Sequence, residues 1–188
     1  MKLRKHQQEC VDYFASVAAG QEPLKPVLMD VTPGGGKSLI PLLAFHELHQ
    51  ADLIDRVAWY VPRESLQEQG ALDFSDPMAS DWLGTKYSIM ESTNACDPCR
   101  GTNGFISTFQ AVGMDQAGIN LAEINTARYL VVLDEFHHLQ ADGVWHRRLQ
   151  PIIDASVAQI YMTGTCERGD REPIAFIEYQ EVSHALDA

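Results

Sequence analysis

Residues 27–38 restrict this chain more than any other segment. An apolar run, Val27-Leu28-Met29-Asp30-Val31, gives way to Thr32-Pro33-Gly34-Gly35-Gly36-Lys37-Ser38, and a second apolar stretch over 39–45 follows at once. The first run reads as a short strand and the last as a buried helix, with Pro41 early enough in it to be tolerated. Consecutive glycines between a strand and a helix let backbone N–H groups approach an anion, and the helix N-terminus favours negative charge. A lysine then offsets charge on a phosphate chain, and a hydroxyl reaches a divalent cation. Pro33, Gly34, Gly35, Gly36, Lys37 and Ser38 therefore form a candidate triphosphate-binding loop. The strict pattern GxxxxGK[ST] puts glycine where Val31 stands. The competing reading is a glycine-rich turn that binds nothing.

The rest of the chain alternates strand-like and helix-like segments. A helix is expected over 3–19, where Leu3, Val11, Phe14, Ala15 and Ala18 fall near helical spacing and Gly20 stops it. Strands are expected over 56–61, 86–90, 104–108, 129–133, 159–162 and 174–179. Helical segments are expected from 64 to about 71, after 108 to about 127, and over 145–156 with an interruption near Pro151. Residues 73–103 are the least patterned. The run Tyr129-Leu130-Val131-Val132-Leu133 has the continuous apolarity of a strand buried on both faces. Such alternation predicts an α/β fold in three layers, a mainly parallel sheet with helices on both faces. With 188 residues, no repeat and no internal linker, the expectation is one domain spanning 1–188.

Asp134 and Glu135 directly follow the 129–133 run. In phosphoryl transfer to water a metal offsets charge on the phosphates, and a second group orients or deprotonates the attacking water. Asp134 suits the metal role and Glu135 the water role. An Asp-Glu pair after a strand is weak evidence alone, because acidic residues cap helices routinely. Its pairing with the loop at Lys37 is what makes it informative.

Asp134-Glu135-Phe136-His137 resembles the DExH box of superfamily-two helicases and translocases, and other N-terminal motifs of that family follow in order. Leu3-Arg4-Lys5-His6-Gln7-Gln8-Glu9 is similar to the segment written LRxYQxE, with His6 in place of the usual tyrosine. Pro62-Arg63-Glu64, Ser107-Thr108-Phe109-Gln110 and Thr163-Gly164-Thr165 resemble the next three, with Cys166 where proline is common. The nearest flavour is the type III restriction subunit and related DNA-repair and phage helicases. The resemblance implies a RecA-like P-loop NTPase domain and ATP and Mg²⁺ as cofactors. Lys37 would meet the β- and γ-phosphates, Ser38 and Asp134 the Mg²⁺, and Glu135 the hydrolytic water. Gln7 would read adenine, His137 would link the ATP site to Thr163 and Thr165, and Arg63 and Thr108 would touch phosphates of a bound strand. It also implies nucleic acid, nearer DNA, as a partner, and a second RecA-like lobe in cis or trans. The match ends near residue 180, where the first lobe of such a motor ends, so weak or absent turnover is expected of this lobe alone.

Charge limits how a nucleic acid would be held. The formal net charge of −12 argues against binding by bulk electrostatics, so any such contacts must be local. No apolar run approaches the roughly 20 residues that span a bilayer, and the basic N-terminus has no apolar segment after it. A cytoplasmic location without membrane association is the expectation. Cys96-Asp97-Pro98-Cys99 has the spacing of half a zinc site, but no second CxxC accompanies it, so two loop cysteines joined by a turn is the plainer reading. Two other classes stay open: a non-catalytic nucleotide- or nucleic-acid-binding module, and a small P-loop kinase. A kinase would bring a lid with several arginines, for which only Arg147 and Arg148 are available.

Overall fold

A computed structural model describes residues 1–32, 34–94, 96–165 and 175–176. Among the described residues, six strands form one all-parallel sheet in the order β1-β6-β5-β2-β4-β3. They are β1 (Val27–Asp30), β2 (Arg56–Val61), β3 (Met90–Glu91), β4 (Gly104–Thr108), β5 (Tyr129–Asp134) and β6 (Ala158–Thr163). The helices are α1 (Lys5–Ala18), α2 (Ile40–Gln50), α3 (Glu64–Phe74), α4 (Pro77–Leu83), α5 (Phe109–Met114), α6 (Ile119–Ile124) and α7 (Val144–Ala155). The expected three-layer α/β architecture is the one found.

Period-two alternation along the central strands divides the core between the two faces. Val57, Trp59 and Val61 of β2 and Leu130 and Val132 of β5 join Phe14 of α1, Phe45 and Leu48 of α2 and Phe74 of α3 in one cluster. Ala58, Tyr60, Tyr129, Val131 and Leu133 point the other way, into a cluster with Phe109 of α5, Ile124 of α6 and Leu149 and Ile152 of α7. Every residue of β5 is buried, which is why that strand is continuously apolar up to Asp134. Burying a large side chain of this kind contributes roughly 1.5–3 kcal/mol.

Several local expectations need correction. The strand expected over 86–90 is only Met90–Glu91, because Phe105 and Ile106 of β4 are the residues that pair with it. Tyr87 and Ile89 are buried in the first core cluster instead. The unpatterned stretch contains α4, whose start is set by Asp76 accepting from the Met78 N–H at 2.7 Å and whose end is set by Gly84 in the left-handed region. Helix α3 runs on to Phe74, and α7 continues through Pro151 without interruption. Pro151 and Arg147, the residue four before it, are both exposed, so water can satisfy the carbonyl that proline leaves unbonded. The expected strand over 174–179 lies outside the described residues except for Ala175 and Phe176, which form a turn. Among the described residues, no helix is long and apolar enough to cross a membrane.

Candidate nucleotide site at the carboxyl edge of the sheet

Ligands of parallel α/β sheets bind outside the carboxyl ends of the strands, where the connecting loops gather. Here β6 lies between β1 and β5, so the segments that follow β1, β5 and β6 meet at one place. The glycine-rich loop leaves β1, passes through a single 3-10 turn at Lys37–Leu39 and enters α2. Val31 extends the pairing of β1 with β6 by donating to the Thr163 carbonyl at 2.9 Å. A Cβ on Gly35 would lie 2.4 Å from Val31 Cγ1 and 2.8 Å from the Thr32 carbonyl oxygen. The Val31 side chain and the Thr32 carbonyl together leave room only for glycine at 35. Gly36 has φ +80° and would bring a Cβ to 2.8 Å from the Gln7 amide nitrogen.

Lys37 Nζ is hydrogen-bonded and ion-paired to Glu135 Oε1, which joins the loop after β1 to the end of β5. The other carboxylate oxygen of Glu135 accepts from the Gly164 N–H at 3.1 Å and lies 3.4 Å from His137 Nδ1. Burial raises the Glu135 pKa, but the Lys37 ammonium and the Gly164 N–H outweigh it and hold the carboxyl below its ordinary value. Glu135 adopts φ 49°, ψ 43°, a left-handed conformation that a non-glycine residue holds only when its surroundings dictate it. Its three partners do so.

Asp134 is buried, and its Oδ1 has no hydrogen-bond partner among the described residues. Desolvation pushes its pKa up to about 6; Lys37 opposes that shift and Glu135 adds to it. A buried carboxylate oxygen without a donor suits a hard cation such as Mg²⁺, and the half-buried Ser38 of the glycine-rich loop offers a hydroxyl to the same kind of ion. Among the described residues no three His, Cys, Asp or Glu side chains form a cation cage. An ion here would need phosphate oxygens and water to complete its shell.

The Thr163 hydroxyl donates to the Thr165 carbonyl at 2.5 Å and accepts from the Thr165 N–H at 3.1 Å. His137 Nδ1 lies 2.9 Å from the same hydroxyl. Because the one hydroxyl proton is already committed, His137 must donate through Nδ1–H, which assigns its tautomer from the network. The end of β5 is thereby tied to the end of β6, and His137, Thr163 and Thr165 come together.

Gln7 is 5% exposed and reaches the loop from the first turn of α1. Its Oε1 accepts from the Arg4 N–H and its Nε2 donates to the Gly36 carbonyl, both at 2.9 Å. One lone pair and one amide proton remain for another partner. Arg4 Nη1 donates to the Gly34 carbonyl at 2.7 Å. Neither that contact nor the Gly164 amide is foreseeable from sequence, since each depends on where a backbone atom ends up. Pro33 and Cys166 lie outside the described residues.

Arg63 and Thr108 stand away from these groups but on the same edge of the sheet. Arg63 caps α3 just beyond β2, and Thr108 ends β4 in register with Val61. Arg63 is exposed, whereas Thr108 is buried and its hydroxyl caps α5 by accepting from the Ala111 N–H at 3.1 Å. A groove of about 220 Å³ opens there, lined by Glu64, Gln67, Thr93, Asn94, Thr108 and Gln110 among others. At the opposite end of the sheet, the Cys99 thiol lies 3.2 Å from the Tyr129 hydroxyl and 3.5 Å from Glu123 Oε1. Burial pushes its pKa up to about 11, with Tyr129 acting against that shift, so Cys99 is a packed neutral thiol.

The fold recurs in proteins of known structure. The UvsW helicase from bacteriophage T4 superposes with a TM-score of 0.60 at 17% identity, covering 88% of this chain and 53% of that one. The Sulfolobus solfataricus SWI2/SNF2 ATPase core in complex with dsDNA gives 0.61 at 13% identity, over 88% of this chain and 32% of that one. The type ISP restriction-modification enzyme LlaGI gives 0.57 at 15% identity, over 89% and 18%. In sequence, an uncharacterised protein of Mycobacterium tuberculosis is 27% identical over 161 residues, 86% of this chain and 25% of its own length. One of Mycobacterium leprae is 26% identical over 157 residues, 84% of this chain and 24% of its own length. The chain thus spans about a quarter of the length of the curated relatives it matches. The family model of the type III restriction enzyme res subunit matches residues 1–168, so the chain, which shares its RecA-like α/β fold with the UvsW helicase, belongs to that family.

Proposed function

We propose that this chain is the ATP-binding lobe of a DNA helicase or translocase, which couples Mg-ATP binding and hydrolysis to strand movement once a second RecA-like lobe completes the cleft. The observation that carries this reading is the convergence of Lys37, Asp134, Glu135 and the Gly164 amide at the carboxyl edge of three adjacent strands. Lys37 would leave Glu135 for the β- and γ-phosphates, and Ser38 and Asp134 would hold Mg²⁺, which offsets charge on the phosphate oxygens when bound. Glu135, released from its ion pair, would orient the attacking water and accept its proton. The Gly164 N–H would hold the carboxylate in position, with the His137 ring beside it. Through His137 and Thr163 any change at Glu135 would be felt at Thr165 and beyond β6. Arg63 and Thr108 would contact strand phosphates locally, as an acidic protein requires.

The second lobe would bring an arginine to the transition state, a group worth about 10³–10⁵ in rate in related phosphoryl-transfer enzymes. Slow turnover by this lobe alone follows. A stand-alone module that binds nucleotide without catalysis is the second reading; it has no use for a strained Glu135 paired to Lys37. Titration of wild type, Lys37→Ala and Glu135→Gln with Mg-ATP, with and without single-stranded DNA, separates the two. Lys37→Ala should lose nucleotide binding. Binding equal to wild type would remove the loop from the site, and fast DNA-stimulated hydrolysis by the isolated chain would show that no second lobe is needed.

A further inference from the structure

The start of α1 touches the glycine-rich loop through two of the loop's backbone carbonyls. Arg4 Nη1 donates to Gly34 O at 2.7 Å and Gln7 Nε2 donates to Gly36 O at 2.9 Å. His6 closes the contact, its Cε1 lying 3.9 Å from where a Cβ on Gly35 would stand. A peptide unit is planar and trans, so fixing a carbonyl on one side fixes the following N–H on the other. Holding Gly34 O directs the Gly35 N–H into its turn onto Thr32 O, at 2.9 Å. Holding Gly36 O directs the Lys37 N–H away from Gln7. Both anchored glycines have positive φ, +75° at Gly34 and +80° at Gly36, in a loop with no side chains of its own to keep it so.

We infer that Arg4 and Gln7 form a brace that shapes the glycine-rich loop, so that both are positioning residues for a polyphosphate whether or not it carries a base. The inference rests on the nucleotide-binding reading and adds to it: Arg4 gains a role, and Gln7 acts on the phosphate end as well as on adenine. Gln7 is itself held in place, because its carbonyl oxygen caps α1 through the Arg4 N–H. Loss of either side chain frees a carbonyl and lets the loop sample the conformations that glycine permits.

The discriminating probe is Mg-tripolyphosphate, which has the phosphate chain of ATP and no base. Its affinity and that of Mg-ATP would be measured by calorimetry on the purified 188-residue chain, on Arg4→Ala, Arg4→Lys and Gln7→Ala. Both alanine variants should weaken tripolyphosphate about five- to tenfold, as the loss of one or two hydrogen bonds implies. Mg-ATP should weaken by at least as much. Arg4→Lys keeps a donor within reach of Gly34 O and should recover most of the affinity. Arg4 is exposed, so its truncation leaves the core intact if the buried Gln7 does not tolerate replacement. Unchanged tripolyphosphate binding in both alanine variants, with ATP binding alone weakened, would restrict Gln7 to reading the base and overturn the brace. If the wild type binds neither ligand, the brace and the nucleotide reading fall together.

Discussion

At the scale of single residues, Lys37 and Glu135 satisfy each other's charge in the structure, so a triphosphate must compete with Glu135 for the lysine. Glu135→Gln removes that competitor along with a negative charge near the phosphates. Nucleotide affinity should therefore rise, about three- to tenfold for a partly buried charge pair, while hydrolysis is lost. Equilibrium titration beside a phosphate-release assay checks both effects. Gly35 offers a second test. Alanine there meets the Val31 side chain and the Thr32 carbonyl at once, so Gly35→Ala should reduce nucleotide affinity at least about tenfold through loop distortion, at near-normal thermal stability. Val31→Gly/Gly35→Ala relieves only the side-chain clash and should recover part of the loss.

At the scale of elements, the α5–α6 connection is held by a buried polar cluster. Asp115 accepts from the backbone N–H groups of Ile119 and Asn120 at 3.0 and 2.8 Å and from Asn120 Nδ2 at 2.9 Å. Burial pushes its pKa up, but the Asn120 side chain and the backbone donors of Asn120, Ile119 and Gly118 outweigh that and lower it. A lowered carboxyl stabilises the fold above the unfolded value, near 3.9, and loses that contribution as pH falls through the folded value. Asp115→Asn should thus be less stable than wild type at neutral pH, with the gap closing below about pH 4. Chemical denaturation across pH measures it. Elements with a strong period or a continuous apolar run, such as β5 and α1, were legible in the sequence almost to their ends. Helix α4 was not: its seven residues carry little periodicity, although Asp76, Pro77 and Gly84 are good start and stop residues. The strand at 86–90 failed for another reason, since a strand exists only where a neighbour pairs with it and β4 offers two partners.

At the scale of the whole molecule, a net charge of −12 and the exposure of Arg63 at the proposed strand-contacting edge would set the form of any nucleic-acid binding. Neutralising few phosphates releases few counterions, so the log–log dependence of DNA affinity on salt should have a slope of only about −1 to −2. Arg63→Ala should make that slope shallower by about one. Fluorescence anisotropy with a labelled single strand, from low to moderate salt, tests both values. A steep slope would point to a basic surface elsewhere.

The sequence by itself determined the fold class and the order of the strong elements, and it singled out Gly34–Gly36, Lys37, Ser38, Asp134 and Glu135 as candidates for the proposed chemistry, because hydrophobic period and loop composition are local properties. Only the tertiary structure decided that Lys37 reaches Glu135, that the Gly164 amide donates to that carboxylate, that His137 meets the Thr163 hydroxyl, and that Arg4 and Gln7 donate to the loop carbonyls. Those contacts join residues far apart in the chain. They depend on β6 lying between β1 and β5, an arrangement set by the packing of the whole sheet and encoded in no single segment.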